Sequence, residues 1–318
     1  MSDEHDEDQR HEPSWTDWRP DESDEHRQIH EYGWTDWGPD ERSLEPGARV
    51  GPYTVRAPIG LYLERTYLAD GADGPVELAL FVLPDIVVTD IGVRFERELA
   101  IVVKTLSTLH PAIRPLYAAG LHGPLGWIAR APAAGVPLPT WRAATPRTWS
   151  DLFPILQQVA GAITSAEQAG LLLPPLVPED ILVEPGGGVQ VDLGTVLADH
   201  HACLGDQLNH PRTFLLLSPE AVRGEPPSPR SSQFSICALA WFVFHGQRPF
   251  ASDSIVAYMF ATLEGRLREP PPGTALPSRI HQALVRGLAA EPADRWPTMP
   301  ELLAALAPRK GLLGWLRR

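Results

Sequence analysis

The hydrophobic pattern of this chain changes period once. Between Arg49 and Arg130 the apolar residues fall mainly in short runs bounded by glycine and proline: Tyr53-Thr-Val, Arg65 to Ala69, Val76 to Leu83, Ile113 to Ala118 and Gly126 to Arg130. Such runs predict strands. One helical stretch interrupts them, Arg94 to Leu109, with Phe95, Leu99, Val102, Val103 and Leu106 on one face and Pro111 as its stop. Beyond this region the spacing is helical, over 149–169, 231–246, 252–264, 276–290 and 299–307. Strands gathered first and helices gathered after them predict an α+β fold, with a small sheet-rich lobe followed by a larger helical one.

The folding part starts late. Residues 1–48 hold sixteen acidic residues against four arginines and few aliphatics, a composition that buries too little surface to offset the entropy of ordering. A disordered acidic tail is therefore expected. The remaining chain has 24 acidic and 23 basic residues, and this near-neutral balance excludes a nucleic-acid surface. The acidic N-terminus is unlike a secretory signal, and no apolar run approaches the roughly 20 residues of a membrane span. Cys203 and Cys237 lack the spacing of a metal or redox motif. These features together predict a reduced, cytoplasmic protein. Residues 309–318 form a short basic amphipathic end capable of at most weak contact with a membrane surface.

The tail contains a repeat, Trp15-Thr-Asp-Trp18-Arg-Pro-Asp-Glu22 and Trp34-Thr-Asp-Trp37-Gly-Pro-Asp-Glu41. Solvating filler needs no tryptophan. The four rings read as anchors for pockets on a protein partner, with acidic flanks that steer the encounter. Two copies can add avidity on a bivalent partner. Duplication without selection is the alternative.

The stretch from Leu173 to Gly194 reads LPPLVPEDILVEPGGGVQVDLG. It predicts a proline-rich loop, a strand, a glycine turn and a second strand, with Asp180 and Asp192 at the strand edges. Six segments in order then resemble a bacterial serine/threonine protein kinase domain over residues 49–308. RFERELAIVVKTLSTLHPAI is similar to the regulatory helix and its His-Pro turn. EQAGLLLPPLVPEDIL resembles the catalytic loop, and VQVDLG resembles the approach to the magnesium-binding Asp-Phe-Gly. SPEAVRGE is similar to the Ala-Pro-Glu segment, SSQFSICALAWFVFHGQRPF to the long central helix, and GLAAEPADRWPTMPELLAAL to the closing helices. The resemblance implies a bilobal kinase-like fold, with an N-lobe at about 49–131 and a C-lobe at about 132–308.

Transferred by position, the resemblance separates architecture from chemistry. Glu220 and Arg295 match the family's buried ion pair, and His110-Pro111, Gly246 and Pro249-Phe250 are in place. The phosphate loop keeps only Gly60, with Tyr62 and Arg65 near the other glycine positions. Phe81 stands at the strand lysine that would pair with Glu98, and the chain's two lysines, Lys104 and Lys310, lie elsewhere. Pro175 takes the place of the catalytic base and Val177 that of the loop lysine, while Asp180 and Asp192 match the two metal positions. Loss of the base alone removes about 10²- to 10⁴-fold in rate. The resemblance therefore implies a pseudokinase, a signalling scaffold or allosteric partner of another protein such as an active kinase. Two alternatives stay open: an atypical active serine/threonine kinase using Asp180 and Asp192, and a non-catalytic ATP sensor. ATP and Mg²⁺ are the implied cofactors, and a chain that binds neither is equally compatible with these residues.

Overall fold

A computed structural model describes residues 44–61, 65–82, 90–123, 125–171, 176–193, 216–250, 254–274 and 276–309. The acidic tail with Trp15, Trp18, Trp34 and Trp37 and the loop position Pro175 lie outside them.

The N-terminal lobe opens as a meander of β1 (Arg49–Val50), β2 (Tyr53–Leu61), β3 (Arg65–Gly71) and β4 (Gly74–Val82). Helix α1 (Asp90–Leu109) follows, then β5 (Leu116–His122) and β6 (Leu125–Arg130). These strands make one antiparallel sheet in the order β1-β2-β3-β4-β6-β5. Phe81 pairs in register with Gly126, and the missing side chain at Gly126 is what lets the Phe81 ring lie across β6. A Cβ there would sit 2.4 Å from the ring. Tyr53 meets Trp127 edge to face at 5.7 Å on the same sheet. Leu99, Val103 and Leu106 turn the apolar stripe of α1 into the core. The Ser107 hydroxyl donates to the Leu116 carbonyl at 2.5 Å, tying the last turn of α1 to the first residue of β5.

The C-terminal lobe begins with β7 (Val136–Pro137) and α2 (Leu138–Ala144), which the hydrophobic period did not reveal. Both are short and proline-flanked, so neither repeats long enough to show a period. Helix α3 (Trp149–Gln168) follows, then β8 (Ile181–Val183) and β9 (Val189–Val191), with β7, β8 and β9 forming a second small sheet. The remaining helices among the described residues are α4 (Pro219–Val222), α5 (Pro229–His245), α6 (Ile255–Leu263), α7 (Ser278–Gly287) and α8 (Met299–Leu306).

Helix starts carry their own chemistry. Asp151 accepts from the Thr148 backbone N–H at 2.8 Å, closing a capping box on α3. Ser228, Ser254 and Thr298 cap α5, α6 and α8 through their hydroxyls. Helix α5 is buried almost all round and ends at Gly246, whose φ of 70° is the left-handed conformation glycine adopts freely. Helix α7 approaches α5 so closely that a Cβ at Gly287 would lie 2.2 Å from the Cys237 sulfur. Among the described residues no helix is long and apolar enough to cross a membrane.

One departure from the sequence pattern prepares the site. The run from Ile113 to Ala118 predicts a strand, but β5 starts only at Leu116. Ala112, Ile113 and Arg114 instead leave the first sheet and pair with β9 of the other lobe. The Val191 N–H donates to the Ala112 carbonyl at 2.6 Å, and the Arg114 N–H donates to the Val191 carbonyl at 2.9 Å. Ile113 and Val191 thereby form an isolated parallel bridge. His110, one turn earlier, rests on α3 at Gly161, where a Cβ would lie 2.8 Å from its Nε2.

Candidate functional site

The bridge between Ile113 and Val191 sets Arg114 beside the residue that follows β9, Asp192. Both side chains are buried, and Arg114 Nη1 stands 2.5 Å from Asp192 Oδ2. Arg130, the last residue of β6, reaches the same oxygen with its Nη1 at 3.2 Å. Glu77 of β4 completes the group. Its Oε2 lies 2.6 Å from Arg114 Nη2 and 3.6 Å from Arg130 Nε. The result is a buried quartet of two carboxylates and two guanidiniums, drawn from β4, the turn after α1, the end of β6 and the end of β9. Two positive and two negative charges compensate one another, the condition under which buried ions are tolerated.

The quartet is also bonded to the segment that links the lobes. Arg114 Nε donates to the Ala131 carbonyl at 2.8 Å, and the Ala133 N–H donates to Glu77 Oε1 at 2.8 Å. The Ala131 N–H is taken by the Pro115 carbonyl at 2.9 Å. Gly135 passes close over β8, where a Cβ would sit 2.5 Å from the Val183 carbonyl oxygen. Only a residue without a side chain makes that approach.

Asp180 lies next to Asp192 through the backbone, its carbonyl accepting from the Asp192 N–H at 2.7 Å. Its own carboxylate is buried and accepts from the Val177 N–H at 3.2 Å, closing the short 3₁₀ turn Pro178–Asp180. Val177, at the loop-lysine position, is itself buried and apolar. Phe81, at the strand-lysine position, belongs to the same core as Leu99, Val103 and Ile128. Gly60 is the penultimate residue of β2, paired with Thr66, and Glu98 falls within α1. Thus the structure brings Asp180 and Asp192 together.

Away from the cleft, Arg295 and Glu220 meet in a bidentate pair, with both guanidinium–carboxylate distances at 2.7 Å. Arg295 is fully buried. It also donates to the carbonyls of Ala289 at 2.9 Å, Arg230 at 2.9 Å and Ala290 at 3.2 Å, while Ser231 donates to Glu220 Oε1 at 2.8 Å. These bonds join α4, α5 and the turn before α8. Burial pushes the Glu220 carboxyl upward, but bonds from Arg295, from its own backbone and from Ser231, with the Arg295 charge, hold it below its ordinary value.

The residues that sequence reasoning missed are Glu77, Arg114 and Arg130. The signal was present. Arg114 and Arg130 both sit in apolar stretches of buried chain, and an arginine in such a place requires a carboxylate nearby.

No family model matches the chain. It is 30% identical over 144 residues to the serine/threonine-protein kinase PknL of Mycobacterium tuberculosis, a match covering 45% of this chain and 36% of PknL. To PknA of the same species it is 28% identical over 145 residues, covering 45% and 33% respectively. The matches thus span about a third of the length of these curated relatives. In fold the chain is similar to the PknI kinase domain of M. tuberculosis, with a TM-score of 0.61 and 24% identity over 83% of this chain and 98% of that domain. The order of the elements, the two-lobed architecture and these relatives agree: the chain carries a protein-kinase-like domain with the fold of the bacterial serine/threonine kinases.

Proposed function

We propose that this chain is a pseudokinase, a kinase fold retained as a signalling scaffold or allosteric partner without phosphoryl transfer. One observation carries the reading: the Asp192 carboxylate is held by Arg114 at 2.5 Å and Arg130 at 3.2 Å. A magnesium ligand must present its oxygen to the ion at about 2.0–2.1 Å. Mg²⁺ at Asp192 would place a double positive charge against two guanidiniums. A pair of like unit charges 4 Å apart already repels by about 4 kcal/mol at an effective dielectric of about 20. Displacing the arginines would in turn strand Glu77, whose carboxylate they neutralise. The other donors point the same way. Asp180 spends a carboxylate oxygen on its own turn, and Phe81 and Val177 offer core packing where phosphates need cationic amines. The residues present do not fit MgATP.

In this reading the tail supplies recruitment, with Trp15, Trp18, Trp34 and Trp37 as anchors for a protein partner such as an active kinase. Cytoplasmic residence belongs to the same proposal.

The test is nucleotide binding by thermal denaturation. A ligand present at about 100 times its Kd adds about 2.7 kcal/mol to stability; MgATP is expected to add nothing, and labelled phosphate is expected not to transfer to the chain or to a generic substrate. Transfer that disappears in Asp192→Ala would establish an active kinase instead. A magnesium-dependent thermal shift without transfer would establish an ATP sensor.

A further inference from the structure

The quartet does more than block a metal. In a bilobal fold with a bound nucleotide, ligand contacts from both sides help hold the lobes together. Here comparable contacts come from side chains of the chain itself. Glu77 and Arg130 belong to the first sheet, Arg114 to the turn after α1, and Asp192 to the end of β9 in the helical lobe. The ion pairs from Arg114 and Arg130 to Asp192 cross from one lobe to the other. Bonds from Arg114 to Ala131 and from Ala133 to Glu77 add the connecting segment to the group, and the backbone pairing of Ala112 and Arg114 with Val191 runs beside it.

We propose that Glu77, Arg114, Arg130 and Asp192 form an internal latch that holds the two lobes in one relative position without a ligand. The latch deepens the pseudokinase reading and rests on it in one respect: no nucleotide enters to compete. Its consequence is a domain that presents a fixed surface to partners whatever the nucleotide level, since the contacts between its lobes are satisfied within the chain. Arg114 is the central member, because its fork reaches Glu77, Asp192 and the Ala131 carbonyl at once. A lysine at that position has a single ammonium and cannot span all three.

Hydrogen–deuterium exchange on the full chain, free of nucleotide, tests this. The amides to follow are Arg114, Ala131, Ala133 and Val191, with those of α5 as the internal control of folding. One variant removes all four charges together, Glu77→Gln, Arg114→Met, Arg130→Met and Asp192→Asn, so that no buried ion is left unpaired. The expected result is at least tenfold faster exchange at the four amides, with α5 protected as in the wild type. A second variant, Arg114→Lys, keeps the charge and removes the fork; the same amides are expected to quicken, by a smaller factor. If the four amides exchange as in the wild type while α5 stays protected, the latch is overturned. If the fourfold variant also loses protection in α5, Arg114→Lys decides by the same criterion. Adding MgATP to the wild type is a separate arm: protection by nucleotide would remove the pseudokinase reading, while the nucleotide-free comparison still judges the latch.

Discussion

Arg295 is an ion with no exposed surface, and its surroundings answer every donor it carries. Two of its nitrogens go to Glu220 and the remaining bonds to three carbonyls. Arg295→Ala should therefore lower the unfolding free energy by about 3–5 kcal/mol, because it leaves a buried carboxylate without its partner. The paired replacement Glu220→Leu with Arg295→Met should cost less than either single change, and urea denaturation measures all three. The pH dependence has a definite sign. The folded Glu220 carboxyl lies below its ordinary value of 4.5, so its contribution is complete above that value and is lost as pH falls through the folded pKa. Acid titration of the urea midpoint should show this loss, and Glu220→Gln should flatten it. The resemblance made this pair legible in the sequence, since Glu220 and Arg295 match the positions of the family's buried ion pair. It could not do the same for Asp192. An aspartate there has the same letter whether it holds a metal or an arginine, and Arg114 stands 78 positions away in the chain. Only the fold brings Arg114 and Arg130 to Asp192.

Elements were legible where a period ran long enough or a cap marked the start. Helices α3, α5 and α8 begin within two residues of the expected positions, at Trp149, Pro229 and Met299, after Thr148, Ser228 and Thr298. The short α2 and β7 escaped because two prolines sit where a period would have to show. The late start of β5 escaped for a different reason: Ile113 is apolar enough for the first sheet, and its choice of Val191 is a tertiary contact. At this scale the seam between α5 and α7 gives a sharp test. Gly287→Ala would drive a methyl into Cys237 and should destabilise by about 1–3 kcal/mol, as overpacking does. Cys237→Ala in the same chain should return part of that loss, which thermal unfolding of the single and double variants will show. Burial pushes the Cys237 thiol up to about 12, so it should resist alkylation at neutral pH while the chain is folded and react once urea exposes it.

For the molecule as a whole, acid acts through His245 before it acts through Glu220. His245 is buried, with its Nδ1 2.9 Å from the Thr274 hydroxyl. Burial, with the charges of His281 and Arg142, pushes its pKa down from 6.5 to about 4. The unfolded chain then binds a proton that the folded chain refuses, so stability is full above pH 6.5 and falls as pH drops from there toward about 4. The melting temperature should decline across that window, and His245→Gln should lessen the slope. Recruitment is also a property of the whole chain. Changing Trp15, Trp18, Trp34 and Trp37 to alanine should abolish partner recovery in a pull-down while leaving the melting temperature of the kinase-like domain unchanged; equal recovery would refute a docking role for the repeat.

Phe81 and Gly126 carry a consequence for the history of such a chain. The ring occupies the room that the absent side chain of Gly126 leaves. Phe81→Lys would thus open a void in the core and leave an ammonium in apolar surroundings. At the same time Asp192 would remain tied to Arg114 and Arg130, so this single change would harm folding and leave the Asp192 pairs as they are. Of the positions where the resemblance expects a lysine, the described ones, Phe81 and Val177, are both buried. Under the proposed pseudokinase reading, gaining phosphoryl transfer would need several substitutions at once, and since Phe81→Lys is harmful alone the packing of Phe81 on Gly126 would act as a ratchet.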